Sequence, residues 1–165
     1  MALSQVPVEG APGGGSYRGF GLAKADRSVR LWTAQLPPDI DRSAVLAVWD
    51  SCLAAGEWTG PPQWFHSDLH SANLLARDGE LVAVLDWEGC TVGDPSSDYV
   101  AAWWLFDGDS RDTFRSVTRA DRSDWHRAMG WALHMAVAAI PYYTDTNPGF
   151  ATLARRALGE ILHRE

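Results

Sequence analysis

Residues 66–73 read HSDLHSAN, and two further short stretches follow, LDWE at residues 85–88 and GDPSSD at residues 93–98. Each stretch brings carboxylate or amide side chains together with small, turn-forming residues. Directly before the first stretch, Trp64 to His66 predicts a short buried strand behind a chain break at Gly60-Pro61-Pro62. The side chains best suited to chemistry are therefore concentrated in the middle of the chain.

Residues 74–85 form two apolar runs joined by Asp78-Gly79, which predicts a β-hairpin. With a two-residue turn and no bulge, Asn73 falls opposite Val84. Asp86 is then a diagonal neighbour of Asn73 on the same face, about 7–8 Å away. An amide oxygen and a carboxylate at one end of a hairpin are ligands that Mg²⁺ prefers. The sequence therefore predicts a Mg²⁺ site at this end of the hairpin.

The flanking parts of the chain have helical patterns. Residues 41–55 carry apolar side chains with a period of 3.6 behind the candidate cap residues Asp41 and Ser43. The C-terminal part stays helical to the end, with Ser123 as the predicted cap of one amphipathic run and Pro148 before another. The predicted fold class is α+β, mainly α, with one β-hairpin.

The 165 residues carry a net charge of −7, which argues against a binder of nucleic-acid phosphates because such proteins present a basic face. Cys52 and Cys90 are too few for a disulfide scaffold and are not spaced for zinc. No apolar run reaches the ~18 residues of a membrane span, and the N-terminus shows no leader pattern. No membrane partner is predicted, and a cytoplasmic location is expected.

Residues 1–22 predict a flexible, Gly- and Pro-rich segment ahead of a domain at residues 23–165. The run Gly13-Gly14-Gly15-Ser16 does not form a phosphate-binding loop. Arg18 stands where the third Gly of G-x-G-x-x-G belongs, and no Gly-Lys-Ser/Thr follows. A linker or loop is the better interpretation of this stretch.

The spacing of His66, Asp68 and Asn73 matches H-x-D-x-x-x-x-N, in which kinases use the Asp as base and the Asn as a metal ligand. Kinases place a second metal-binding Asp after a hairpin, and Asp86 occupies that place here. The order of Asp68, Asn73 and Asp86 along the chain therefore predicts phosphoryl transfer.

These motifs, together with residues 93–98, resemble the aminoglycoside phosphotransferase family and its choline-kinase-like relatives, which share the protein-kinase fold. The resemblance covers residues 20–165 and implies the C-terminal lobe of a protein-kinase-like fold. The family often has Gly where this chain has Ser67, and Pro-Gly where it has Ser71-Ala72. Ser67 must therefore adopt backbone torsions that are permitted to a residue with a Cβ.

The resemblance implies a role for each motif residue. Asp68 would be the catalytic base, and Asn73 and Asp86 would bind Mg²⁺, with ATP or GTP as co-substrate. His66 would brace the catalytic loop, and Asp98 would hydrogen-bond its backbone. The implied reaction moves the γ-phosphoryl group to a hydroxyl of a small-molecule acceptor, aminoglycoside-like or an amino alcohol.

Three further side chains near the motifs have alternative interpretations. His70 is a loop or cleft residue or a substrate contact. Glu88 and Asp94 either contact metal or a cationic substrate, or are a solvated carboxylate and a helix N-terminal carboxylate, respectively. If His66, Asp68 and His70 lay on one strand they would line one face, which makes a metal-dependent hydrolase a weaker alternative.

The nucleotide-gripping lobe of a kinase-like fold is expected to be absent. Such folds hold the phosphates with a Gly-rich loop and a strand lysine, whereas the single lysine here, Lys24, has helix-like surroundings. The chain is therefore expected to be truncated and inactive alone, with a separate nucleotide-binding lobe or a homodimer as partner. The alternative is a catalytically silent remnant that binds a ligand or a partner.

Overall fold

A computed structural model of the chain describes residues 3–11 and 21–163. The Gly-rich run at residues 13–16 lies outside the described residues, so the linker prediction is not addressed there. Within residues 3–11 the chain contains a 3₁₀ turn at Leu3–Gln5, and the indole Nε1 of Trp64 donates to the carbonyl of Pro7 at 3.0 Å.

Six α-helices and two small sheets make up the described part of the chain. The helices are α1 (Asp26–Thr33), α2 (Arg42–Leu53), α3 (Ala101–Trp104), α4 (Gly108–Thr118), α5 (Arg122–Tyr143) and α6 (Pro148–Leu162). The strands are β1 (Gln63–Phe65), β2 (Leu74–Arg77), β3 (Glu80–Val84) and β4 (Thr91–Gly93). Short 3₁₀ helices lie at Leu22–Ala25, Ser71–Asn73, Trp87–Gly89 and Pro95–Val100. The mainly helical prediction is confirmed.

Helix α5 is the centre of the core. It packs against α1, α2, α6 and the 3₁₀ helix at Pro95–Val100, and large side chains such as Trp131, Leu133 and Ile140 are almost fully buried along it. A helix that is apolar on most of its circumference is stable only when other elements surround it. No helix among the described residues is long and apolar enough to cross a membrane.

The sequence predicted one hairpin, and the structure contains a second two-stranded sheet. Strand β1 pairs antiparallel with β4, with Trp64 opposite Val92. Strand β4 is only three residues long, and the pairing joins segments 28 residues apart, so it leaves no local turn pattern. This sheet places residues 66–73 beside residues 85–93.

The predicted register of the hairpin is wrong. Leu75 lies opposite Ala83 and Ala76 opposite Leu81, so Val82 is an extra residue that forms a bulge. Val84 therefore faces Leu74 rather than Asn73. Strand β3 contains no glycine to mark the irregularity, so the bulge could not be predicted from residue types.

The predicted cap of α5 is also wrong. Asp121, not Ser123, is the N-cap residue, and its Oδ1 accepts from the backbone N–H of Asp124 at 2.7 Å. The Asp124 carboxylate in turn accepts from the N–H of Asp121, which completes a reciprocal capping box. By contrast, Asp41 caps α2 as predicted, accepting from the N–H groups of Ser43 and Ala44.

Candidate active site

The loop at residues 66–73 begins where strand β1 ends, at Phe65. The carboxylate of Asp98 holds its first two residues, because the backbone N–H groups of His66 and Ser67 each donate to it at 2.9 Å. Both donors are buried, so the bonds also satisfy groups that water cannot reach. The 3₁₀ helix that carries Asp98 thus determines how the loop leaves the sheet.

The imidazole of His66 ties this loop to the segment after the hairpin. Its Nε2 lies 2.8 Å from the carbonyl of Leu85, and its Nδ1 accepts from the backbone N–H of Asp68 at 3.3 Å. Because Nδ1 accepts, Nε2 is the protonated nitrogen and donates to Leu85. Both imidazole nitrogens of His66 are hydrogen-bonded, and strand β1 ends at Phe65. His66, Asp68 and His70 therefore do not line one face of a strand, as the metal-dependent hydrolase alternative requires.

Ser67 adopts a left-handed backbone conformation, with φ of 77°. Glycine is the residue that enters this region without strain, so the serine is held there by its surroundings. Its buried hydroxyl donates to the carbonyl of Gly89 at 2.9 Å. A Cβ on Gly89 would lie only 2.6 Å from Ser67 Oγ, so the two positions depend on each other.

Asp68, Asn73 and His70 form a hydrogen-bonded group. The side-chain amide of Asn73 donates to the backbone carbonyl of Asp68 at 2.9 Å and to its Oδ2 at 3.2 Å. His70 Nε2 lies 3.3 Å from the same Oδ2. These contacts point the Asn73 nitrogen at Asp68, and the Asn73 Oδ1 makes no hydrogen bond to the described residues.

Asp86 reaches the same cavity as Asp68 and Asn73 by a different route from the predicted one. Because of the bulge, the alternation of side chains along β3 does not determine the direction of Asp86. Asp86 instead lies in a left-handed turn with φ of 60° and ψ of 61°. Its carboxylate is exposed and forms no hydrogen bond or ion pair with the described residues. Within those residues no cluster of three His, Cys, Asp or Glu side chains forms a metal site.

Glu88 and Asp94 do not line this cavity. Glu88 is exposed in the turn after Asp86, whereas Asp94 caps the 3₁₀ helix at Pro95–Val100 and pairs with Arg127 Nε at 2.7 Å. Nearby, partial burial raises the pKa of the Cys90 thiol, and the negative charge of Asp98 adds to the rise. The thiol is therefore neutral near pH 7 and is no thiolate nucleophile.

The cavity has a volume of about 460 Å³ and continues from the polar group toward helices α5 and α6. The sequence motifs include none of the residues of this part of the cavity wall. The nine Trp residues of the sequence are the one signal that points to an aromatic cleft. The wall consists of aromatic, aliphatic and polar side chains from four helices and one loop: Trp32, Trp104, His134, Met135, Ala138, Ala139, Tyr142, Tyr143, Asn147 and Phe150.

Comparison with known proteins identifies the class. The sequence model of the phosphotransferase enzyme family (APH) matches residues 2–131, most of the chain. The chain therefore belongs to this phosphotransferase family. None of the curated proteins matches it.

Solved structures share the fold at low sequence identity. A thermostable mutant of aminoglycoside phosphotransferase APH(4)-Ia, in ternary complex with AMP-PNP and hygromycin B, aligns with a TM-score of 0.62 and 18% identity over 96% of this chain. The apo form of such a mutant aligns with a TM-score of 0.54 and 20% identity over 88% of this chain. The two alignments cover 60% and 52% of the chains in those structures, so this chain spans just over half the length of its structural neighbours. The fold is thus similar to the kinase-like aminoglycoside phosphotransferase fold.

Proposed function

We propose that this chain supplies the catalytic residues for transfer of the γ-phosphoryl group of ATP or GTP to a hydroxyl of a small molecule. The observation that carries the proposal is that Asp68, Asn73 and Asp86 line one cavity in a member of a phosphotransferase family. Three of the structural neighbours hold AMP-PNP or ADP together with hygromycin B, which supports a nucleotide and a hydroxyl-bearing acceptor as the two substrates.

Asp68 is the proposed base. Its carboxylate takes the proton as the O–H bond of the acceptor breaks, and the acceptor oxygen forms a bond to the γ-phosphorus. The bond from that phosphorus to the bridging oxygen breaks, and the nucleoside diphosphate leaves with the electron pair. The contacts from Asn73 and His70 hold the Asp68 carboxylate in one orientation for this step.

Asn73 and Asp86 fit a divalent cation. The Asn73 Oδ1 and the Asp86 carboxylate are oxygen donors with free capacity among the described residues, and Mg²⁺ is bound by one or two such groups plus phosphate oxygens and water. A bound Mg²⁺ would neutralise the charge that develops on the phosphate oxygens. The role of Asn73 here is to present Oδ1 while its nitrogen stays on Asp68.

We propose that groups outside the described residues hold the nucleotide phosphates. The single lysine of the sequence, Lys24, lies in a 3₁₀ turn rather than on a strand. Because a kinase-like fold holds the phosphates with a lysine on a strand, turnover by the described residues alone is not expected. Metal and ligand binding are therefore better readouts than activity.

The metal site is tested by titrating the chain with Mn²⁺, a spectroscopic substitute for Mg²⁺, and following water-proton relaxation. Asp86→Ala is expected to weaken Mn²⁺ binding at least tenfold, because a metal with two protein ligands depends on each of them. Glu88→Ala is the matched control, since this exposed carboxylate lies two residues away and outside the cavity. Equal losses in both variants, or none in Asp86→Ala, would contradict the proposal.

The alternative is a catalytically silent module that binds a partner. It is favoured by one observation: large apolar side chains are exposed on and directly after the hairpin, at Leu75, Leu81, Val82, Leu85 and Trp87. These five side chains are the exposed hairpin residues. The Mn²⁺ titration separates the two functions, because a silent module has no need for a metal site at Asp86.

A further inference from the structure

We propose that the acceptor has an apolar or aromatic ring face and carries at most one positive charge, unlike the aminoglycoside held by the structural neighbours. This inference rests on the proposed function and concerns the far wall of the same cavity.

The negative charge of the cavity lies at one end. Of the described residues that line it, Asp68 and Asp86 alone are carboxylates, and the proposed reaction already uses both. An aminoglycoside carries several amines that are protonated near pH 7, and each amine that the wall encloses would need a partner there. The wall toward α5 and α6 offers no such carboxylate within the described chain.

The far wall is a connected set of rings. The ring of Phe150 lies 5.0 Å from His70, 5.0 Å from Tyr143 and 5.7 Å from Trp104, measured between centroids. Tyr142 in turn packs edge-on against Tyr143 at 4.7 Å. Such a wall recognises a flat or apolar surface, and its ring faces can offset one cation but not several.

Basic side chains of the protein lie next to this wall. A second cavity of about 380 Å³ shares Trp32 with the first, and it is lined by Lys24 and Arg27 without a carboxylate among the described residues. Ser28 from the second cavity lies 3.5 Å from His134 Nε2 of the first. A polycation extending from Asp68 along α1 would therefore meet the guanidinium of Arg27.

The test measures equilibrium binding to the purified 165-residue chain, without nucleotide, by isothermal titration. Phenyl β-D-glucopyranoside is the neutral, ring-bearing probe with hydroxyls, and hygromycin B is the polycationic probe. We expect the glucoside to bind at least tenfold more tightly than hygromycin B at low salt. Tyr142→Ser is expected to weaken glucoside binding several-fold, and this exposed side chain can be replaced without loss of the fold.

A charge added to the wall provides the reverse test. Ala138 lines the cavity and is partly exposed, so Ala138→Glu places a carboxylate among the rings. We expect hygromycin B to bind this variant at least fivefold more tightly than the original chain. The matched control is Val117→Glu on α4, which adds the same charge outside the cavity and should change neither affinity.

Tighter binding of hygromycin B to the original chain would overturn this inference, as would the absence of binding by either probe or a failure of Ala138→Glu to raise hygromycin B affinity. None of these results bears on the Mn²⁺ titration of Asp86. Conversely, loss of the metal site would refute the proposed reaction even if the neutral probe binds the rings.

Discussion

At the scale of single residues, the strained turn at Ser67 joins the two halves of the candidate site. Ser67 precedes the proposed base, Asp68, and its hydroxyl bonds to Gly89, three residues after Asp86. The serine hydroxyl fills the space that a side chain at Gly89 would require. The residues flanking the base and the proposed metal ligand are therefore coupled directly, through one hydrogen bond and one steric contact.

A double-mutant cycle tests this coupling. Gly89→Ala is expected to destabilise the chain because its Cβ would lie 2.6 Å from Ser67 Oγ. In a Ser67→Gly background the obstruction is gone and the left-handed turn is unstrained, so the same change should cost at least about 1 kcal/mol less. Urea unfolding of the four proteins measures the coupling.

Gly159→Ala is the control for replacing a glycine with alanine. Gly159 lies inside α6, and apart from its chain neighbours and the backbone of its own helix no described atom lies within 4 Å of an added Cβ. This change should stabilise the chain by roughly 0.5–1 kcal/mol, because glycine is a poor helix former. Equal costs of Gly89→Ala in both backgrounds would show that Ser67 and Gly89 are independent.

At the scale of secondary-structure elements, an ion-pair network joins α5 to the 3₁₀ helix that carries Asp98. Arg127 on α5 is buried and pairs with Asp94, the cap of that 3₁₀ helix, and with Asp124 in the first turn of α5. Asp98 in turn accepts a hydrogen bond from the backbone N–H of His66. The position of α5 therefore affects the loop that carries the proposed base.

Arg127→Met is expected to destabilise the chain by about 3 kcal/mol, because the nearly buried Asp94 carboxylate would lose its partner. Adding Asp94→Asn should recover more than 1 kcal/mol, since asparagine still caps the helix and carries no charge. Thermal and urea unfolding provide the measurement.

The exposed pair between Arg155 and Asp39 serves as the comparison for this network. Arg155→Met is expected to leave the unfolding transition nearly unchanged, because water and salt screen exposed ion pairs. A destabilisation as large as that of Arg127→Met would show that burial is not the cause.

At the scale of the whole molecule, the exposed hairpin residues are a set of large apolar side chains on the surface. Their exposed fractions range from 41% at Leu85 to 61% at Leu81. Soluble monomers rarely expose contiguous apolar areas of more than a few hundred Å². A second copy of the chain, or a separate nucleotide-holding lobe, is the proposed cover for these side chains.

Purified chain is therefore expected to self-associate as its concentration rises in sedimentation velocity. Leu81→Glu should shift the distribution toward monomer, because a charge cannot be buried in an apolar contact without a partner. Val117→Glu adds the same charge at an exposed position on α4 and should have no effect. A monomer at every concentration that binds no hydrophobic dye would refute the prediction.

Local patterns predicted much of this protein because they depend only on near neighbours along the chain. The period of residues 41–55 and the cap at Asp41 predicted α2, and Asp78-Gly79 predicted the hairpin turn. The spacing of Asp68 and Asn73 placed both in one loop, where the structure brings their side chains into contact.

Tertiary structure decided the register of the hairpin and the features that join distant segments. The bulge at Val82 altered the predicted register, and the left-handed turn at Asp86, rather than strand alternation, directs that carboxylate to the cavity. The pairing of β1 with β4 and the ring contacts of Phe150 involve segments far apart in sequence. Neither set of contacts leaves a local sequence pattern. The free energy that stabilises them comes from burial and packing between segments that meet only in the folded chain.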